Sequence, residues 1–400
     1  MNDQNPRPRL GRNVISLGAV SFLTDVSSEM IYPLLPVFLT VTLGASAGTL
    51  GVIEGAAETT SALLKLASGW WSDRARRRKP LIALGYGIAS AVRPLIAIAQ
   101  SATQVLMIRL TDRVGKGIRG APRDALIADS VDPANRGRAF GFNRTGDHLG
   151  GVLGPLVAFA LVEWRHLPLR TVFWWAVLPG ALAVATVIFG VREVPRRNAP
   201  SSQPAMLADA STISRPLGAR FWGVLGVILL FTLGNSTDAF LLLRATQLGV
   251  PIAFAPILWA FLHVLKSMSS VPGGALSDRV GRKPLLVAGW MLYALVYFAF
   301  GRASAPWHAW ALFGVYGIFF GLTEGTERAL VTDIVPAARR GTAFGWYNLT
   351  IGLGALPASI VFGALWDAHG SRVAFDFGAA LALAAAIGIV TISIREPSGT

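Results

Sequence analysis

The chain has 400 residues, 53% of them hydrophobic and only 14% charged. A soluble domain carries about 25% charged residues, so a water-soluble globular enzyme is excluded and a polytopic membrane protein is indicated. The formal net charge of +14 would suit a nucleic-acid partner, but the bases fall in short loops on alternate sides of apolar runs, which is a topology signal and excludes that partner.

A helix that crosses a bilayer needs about 20 residues, and twelve apolar runs of that length follow one another. The first six lie at 13–41, 49–71, 80–99, 103–131, 138–162 and 171–191. The first run contains acids and lacks a small-residue cleavage site, so it reads as a retained helix and not a signal peptide. Residues 192–220 contain EVPRRNAPSSQPAML near their start, a Pro/Ser/Arg-rich stretch that reads as a surface linker. The last six runs lie at 221–248, 252–276, 284–301, 307–335, 342–366 and 373–394. The expected architecture is an all-α membrane protein: a six-helix bundle at 1–191, a cytoplasmic linker at 192–220 and a second six-helix bundle at 221–400. With the N-terminus in the cytoplasm, Lys and Arg favour the inner side by roughly five to one. Both termini are therefore expected in the cytoplasm of a bacterial inner membrane.

The two halves echo each other. GWWSDRARRRKPL from Gly69 returns as GALSDRVGRKPL from Gly274, and ADSVDPANRGRAFGFN from Ala128 returns as TDIVPAARRGTAFGWY from Thr332. Related hydrophobic halves are how many secondary transporters are built, with the substrate where the halves meet.

Ionisable groups inside spans cost about 2.5–3.5 kcal/mol each on translocon scales and face the bundle interior. In the fourth span Arg109, Arg113, Lys116 and Arg123 are spaced by four, three and seven residues, which keeps them on one helical face. Arg119 and Asp112 flank that stripe. Asp25, Glu29, Tyr32 and Pro36 share a face of the first span; Glu54, Glu58 and Lys65 share one of the second. Glu324, Glu327 and Arg328 cluster in the tenth, and Asn235 and Asp238 lie in LGNSTDAF of the seventh. Aligning FLTDVSSEM with FTLGNSTDAF places Glu29 opposite Asp238. Acids and bases nearly cancel, so structural ion pairing competes with a transport role at each position. A proton-coupled carrier also needs a buried carboxylate.

These strings identify a resemblance over the whole chain. Gly274, Asp278, Arg279, Gly281, Arg282 and Lys283 match the G-x-x-x-D-R-x-G-R-K loop of the major facilitator superfamily. The first-half copy keeps Gly69, Asp73 and Arg74 but has Arg76 where the glycine belongs. Arg113 and Gly117 resemble the family's fourth-span R-x-x-x-G motif, whose arginine is linked to proton transfer. Gly150, Gly154 and Pro155 resemble the fifth-span G-x-x-x-G-P motif of drug and metabolite antiporters. The resemblance implies alternating access, with gating by Asp73, Arg74 and Asp129 in the first half and Asp278, Arg279, Arg282 and Asp333 in the second.

The five histidines show no metal-ligand spacing, and no Walker loop or nucleophile elbow is present. Trp174, Trp175, Trp259, Trp290 and Trp346 could line a cavity, against the alternative of core or lipid packing. The expected function is a monomeric, cofactor-free, proton-coupled exporter of a small organic solute or drug. Its partners would be that solute, protons and membrane lipids. Asp25 and Glu29 would sense protons; Arg113 and Lys116 would tune them or meet an anionic group; Asn235, Asp238 and Glu324 would face them. Alternatives are a carrier of organic anions, or of a metal or metal chelate, and a non-transporting receptor or enzyme on the same scaffold.

Overall fold

The computed structural model describes residues 11–74, 77–132, 136–194, 217–335 and 339–392. Every regular element among them is helical. A chain without water around it closes its peptide hydrogen bonds within single segments, and the helix does so. Twelve rods result among the described residues. In the first half they are α1 (Arg12–Thr42), α2 (Ala47–Arg74), α3 (Lys79–Ile98), α4 (Ala102–Asp129), α5 (Arg136–Phe159, prolonged by a π-helical turn at Ala160–Trp164) and α6 (Leu169–Gly190). In the second half they are α7 (Ala219–Gln247), α8 (Ala255–Val280), α9 (Arg282–Arg302), α10 (Pro306–Asp333), α11 (Arg340–His369) and α12 (Ser371–Thr391). Most of the linker, residues 195–216, lies outside the described residues.

Nine rods are long and apolar enough to cross a membrane; α2, α4 and α10 are the described rods that fall short. Each of those three has 28 residues, so length is not the cause. They carry Glu54, Glu58, Arg109, Asp112, Arg113, Lys116, Arg119, Glu324 and Glu327. Polar content inside a spanning helix marks a face turned to other protein or to water. The outer surface is apolar instead: Phe189 is 78% exposed and Trp164 72%, as suits a molecule bathed in lipid.

The rods α1 and α7 break halfway. In α1 the regular helix ends at Glu29, and Pro33 enters a 3-10 turn at Tyr32–Leu34. In α7 the helix stops at Gly234 and restarts at Ala239, leaving Asn235 to Asp238 between. The sequence alignment of these two segments thus falls on two interrupted helices. Broken helices of this kind form solute and ion sites in transporters. The loop motif is shorter than expected, because Gly274, Asp278 and Arg279 belong to the last turns of α8. The connection to α9 is Gly281 alone, at φ +96°, a conformation that suits glycine.

Within the first half α1 packs on α5 and α6, and α4 on α2 and α3. Within the second, α8 packs on α10, α9 on α10 and α12, and α7 on α11 and α12. The halves meet through α2 against α11 and α5 against α8. Glycines allow the first seam to be close. A Cβ at Gly51 would stand 2.2 Å from the Ser359 carbonyl oxygen, and one at Gly363 would stand 2.8 Å from that of Ala47. At the end away from both chain termini, Asp367 of α11 caps α2. Its carboxylate accepts from the Ala47 amide at 2.9 Å and the Gly48 amide at 2.8 Å. A carboxylate there also meets the positive end of the helix dipole.

Asp367 was not among the expected gating residues, yet its cap joins the two halves. Replacing it (Asp367→Ala) removes about 1 kcal/mol of capping, a shift of about fivefold toward the opened seam. The native chain has no cysteine, so a Ser359→Cys variant reports this directly. A membrane-impermeant thiol reagent on the side of the α1–α2 loop is expected to label Ser359→Cys about fivefold faster when Asp367 is Ala. An unchanged rate would show that the cap does not hold this end shut.

Candidate functional site

A cavity of about 590 Å³ lies between the halves, lined from α1, α2, α3, α4, α7, α8, α10 and α11. That volume falls in the range of small-molecule sites. All seven expected substrate and proton residues line it: Asp25, Glu29, Arg113, Lys116, Asn235, Asp238 and Glu324.

The first-half wall is built on a buried ion network. Arg109 of α4 grips Glu54 of α2 with both arms, Nε to Oε1 at 3.0 Å and Nη2 to Oε2 at 2.6 Å. Arg93 of α3 donates to Asp112 of α4 from Nε at 3.2 Å and Nη2 at 2.9 Å, and its Nη1 reaches Ser27 of α1 at 3.0 Å. Residues 93–98 form a 3-10 turn with Pro94 at its start. Four rods are thereby tied to one another by charge-assisted bonds, which are about twice as strong as neutral ones. Arg113 finds Asp112 already engaged, at 3.8 Å, and its Nε has no acceptor. Lys116 and Arg119 have no carboxylate within ion-pair distance among the described residues. The expected basic stripe divides: Arg123 turns away from the cavity to Asp124 at 2.9 Å and Ser21 at 3.2 Å, and the flanking Arg119 takes a place on the wall.

Asp25 and Glu29 stand on α1 because α5 lies directly behind them. A Cβ at Gly150 would come within 2.6 Å of the Phe22 carbonyl oxygen and 2.7 Å of Asp25 Cβ. One at Gly154 would come within 2.7 Å of the Val26 carbonyl oxygen. With Pro155 inside the same helix, this is what the G-x-x-x-G-P pattern does here. Glu29 then crosses to the second half, where Trp259 Nε1 of α8 donates to its Oε2 at 2.7 Å. Beside it the Tyr32 and Trp259 rings sit 4.9 Å apart, and the Tyr32 and Thr237 hydroxyls lie 3.4 Å apart.

The second-half wall is aromatic. Tyr316 donates to Asp238 at 2.7 Å, and Tyr293 donates to Asn235 at 3.2 Å. Glu327 accepts from Trp290 Nε1 at 3.1 Å and from the Tyr347 hydroxyl at 3.0 Å. Glu324 has two basic neighbours at 3.5 Å, Lys266 and Arg328. Trp290 is therefore a buried donor, Trp259 a wall residue, and Trp174, Trp175 and Trp346 are exposed.

The gating candidates lie apart from the cavity, at the terminal ends of the rods. Asp278 and Asp333 both meet Arg282, the latter at 3.4 Å, and Arg279 is exposed. Asp129 pairs with Arg78. Asp73 and Arg74 end α2, but their side chains lie outside the described residues. Among the described residues no group of three His, Asp or Glu is placed to hold a metal ion.

A duplicated helical bundle around a polar cavity, with broken helices at its centre, is how multi-pass membrane transporters are built. The signature of the Major Facilitator Superfamily matches residues 17–265 and 262–400, and the chain belongs to that family. It is 32% identical over 392 residues to an MFS-type transporter of Methanocaldococcus jannaschii, covering 96% of this chain and 95% of that one. It is 24% identical over 388 residues to the multidrug resistance protein MdtG of Klebsiella pneumoniae, covering 94% and 92%. Among solved structures, a bacterial homolog of the human lysosomal transporter Spinster, inward-facing and unoccupied, superimposes with a TM-score of 0.74 at 19% identity over 96% of each chain.

The Glu54–Arg109 pair is the strongest test of the wall. A Glu54→Gln variant leaves buried Arg109 with only the more distant Asp112, at 4.0 Å, and is expected to lose about 3 kcal/mol. Thermal unfolding of the detergent-solubilised protein measures it. Adding Arg109→Gln should cost less than the sum of the two single changes, whereas strict additivity would show the pair to be uncoupled.

Proposed function

We propose that this chain is a proton-coupled secondary transporter that exports a small organic solute by alternating access. It works as a monomer in a bacterial inner membrane, with both termini in the cytoplasm. Residues 1–191 and 221–400 are the two moving bodies and 192–220 the linker. The observation that carries this reading is Glu29, a cavity carboxylate whose hydrogen bond from Trp259 spans the two halves. An ionised carboxylate accepts such a bond about twice as strongly as a neutral one. Protonating Glu29 therefore loosens the seam that Trp259, Tyr32 and Asp367 hold closed, and losing the proton restores it. Asp25 lines the same wall one helical turn earlier and shares its field.

The cycle follows from that switch. With the seam closed away from the termini, the cavity takes solute from the cytoplasm. Protons arriving from outside occupy Asp25 and Glu29 once the seam has opened and the solute has left. Their return to the cytoplasm drives the next turn. The ion clusters at the terminal ends, Arg282 with Asp278 and Asp333 and Arg78 with Asp129, latch the opposite state together with Asp73, Arg74 and Arg279. The likeness to a multidrug resistance protein supports outward transport. Carriage of an organic anion is the second reading, favoured by the buried Nη1 of Arg119, which has no acceptor.

In proteoliposomes carrying a solute found by thermal-shift screening, Asp25→Asn and Glu29→Gln together should abolish flux driven by a pH gradient while solute exchange without a gradient persists. Full pH-driven flux in the double variant would remove both residues from proton coupling. Loss of binding to anionic ligands, but not to cationic ones, in Lys116→Ala would favour the anion reading.

A further inference from the structure

Resting on that reading of the cavity, we infer that the solute is amphoteric: an acidic group at one end, a basic nitrogen at the other and an apolar middle, with one end on each half.

The acid pole lies on α4. Arg119 is 7% exposed, lines the cavity and stacks its Cζ 4.1 Å over the Tyr86 ring, yet its Nη1 has no hydrogen-bond acceptor. Arg113 Nε is buried and without an acceptor too, because Arg93 holds Asp112 at 2.9 Å. Buried donors left unmade are costly. Those unpaired atoms are sealed from the cavity, but both guanidinium groups line it, Arg119 with no carboxylate within ion-pair distance among the described residues, and such groups suit a carboxylate or phosphate.

The base pole lies on the second half. Asp238 and Glu327 are oriented by Tyr316, Trp290 and Tyr347. Neither has a cationic side chain within ion-pair distance among the described residues; Asp25, Glu29 and Glu58 across the cavity share that, but they stand on the wall that also carries Arg113, Lys116 and Arg119. Neutral donors fix the oxygens and leave the carboxylate open to a cation. The neighbouring aromatic faces also favour one: Lys266 Nζ already sits 4.0 Å over the Phe320 ring. A solute with a single pole leaves the other wall unsatisfied, and sites built to bond a polar group reject ligands that lack it.

Matched probes test this on the full-length purified protein by titration calorimetry. One set is 4-(aminomethyl)benzoate, benzylamine and benzoate; the other is 6-aminohexanoate, hexylamine and hexanoate. In at least one set the amphoteric member should bind about tenfold tighter than either single-pole member. Arg119→Gln should erase the advantage over the amine alone, and Glu327→Gln or Asp238→Asn the advantage over the acid alone. Arg119→Lys should restore part of the first advantage, which a packing defect would not. An amine or an acid that matches the amphoteric member in both sets overturns the inference, as does the absence of binding by every probe at millimolar concentration. A probe that binds in the expected pattern but does not cross proteoliposomes upholds the two poles and refutes transport as their purpose.

Discussion

A charge inside a low-dielectric bundle must find its opposite, and the first half is arranged around that demand. Glu54 with Arg109 and Asp112 with Arg93 join α2 and α3 to α4, and Arg93 reaches on to α1. Each pair would be expensive to break and is joined by two hydrogen bonds, which makes a buried pair tolerable. The consequence is functional as well as structural. Once these four groups are matched, the first-half cavity residues left over stand out as available: Asp25, Glu58, Lys116 and Arg119, with Arg113 only partly satisfied.

The second half meets the same demand differently. Its core is a run of stacked and edge-on rings, with Tyr293 and Tyr297 centred 4.1 Å apart and Phe231 and Trp290 4.8 Å apart. From that apolar mass come polar tips, the Trp290 N–H and the Tyr316 and Tyr347 hydroxyls, and these hold Glu327 and Asp238. Aromatic residues supply area and one directed hydrogen bond each. The duplication seen in the sequence therefore preserves the scaffold, including the interrupted α1 and α7, while the electrostatics of the two walls diverge.

Much of the fold was legible in the sequence because hydrophobic length and loop charge are local properties. The limits expected for the first and last spans, 13–41 and 373–394, lie within a few residues of Arg12–Thr42 and Ser371–Thr391. The helical stripes placed Asp25, Glu29, Arg113 and Lys116 on one cavity for the same reason. Pairing was not legible. Glu29 meets a tryptophan 230 residues away, and nothing in either segment announces the other. Arg93 stood beside Pro94 without an evident partner, and Glu327 was visible only as one of three charges in the tenth span. Asp367, at a helix end in an apolar run, carried no motif. Arg123 had the right helical phase for the cavity, but a closer acceptor on Asp124 turned it aside.

The contacts within the first half and those between the halves differ in kind. The bonds within the first half are buried ion pairs, costly to part. Those that join the halves are of a different kind. They include a carboxylate on two backbone amides, a tryptophan on Glu29, the Tyr32–Thr237 and Thr59–Gly352 hydrogen bonds, and a glycine-lined seam held by close van der Waals contact. Each can be exchanged for water or a proton at modest cost, and none requires an isolated charge to be left in the apolar interior. The glycines contribute twice. Those of α11 and α2 let the halves approach without interlocking side chains, so that parting unthreads nothing. Those of α5 hold α1 so close that Asp25 and Glu29 are fixed in place at the cavity. The same use of glycine that seats α1 closely against its own half thus leaves the seam opposite it without interlocking side chains.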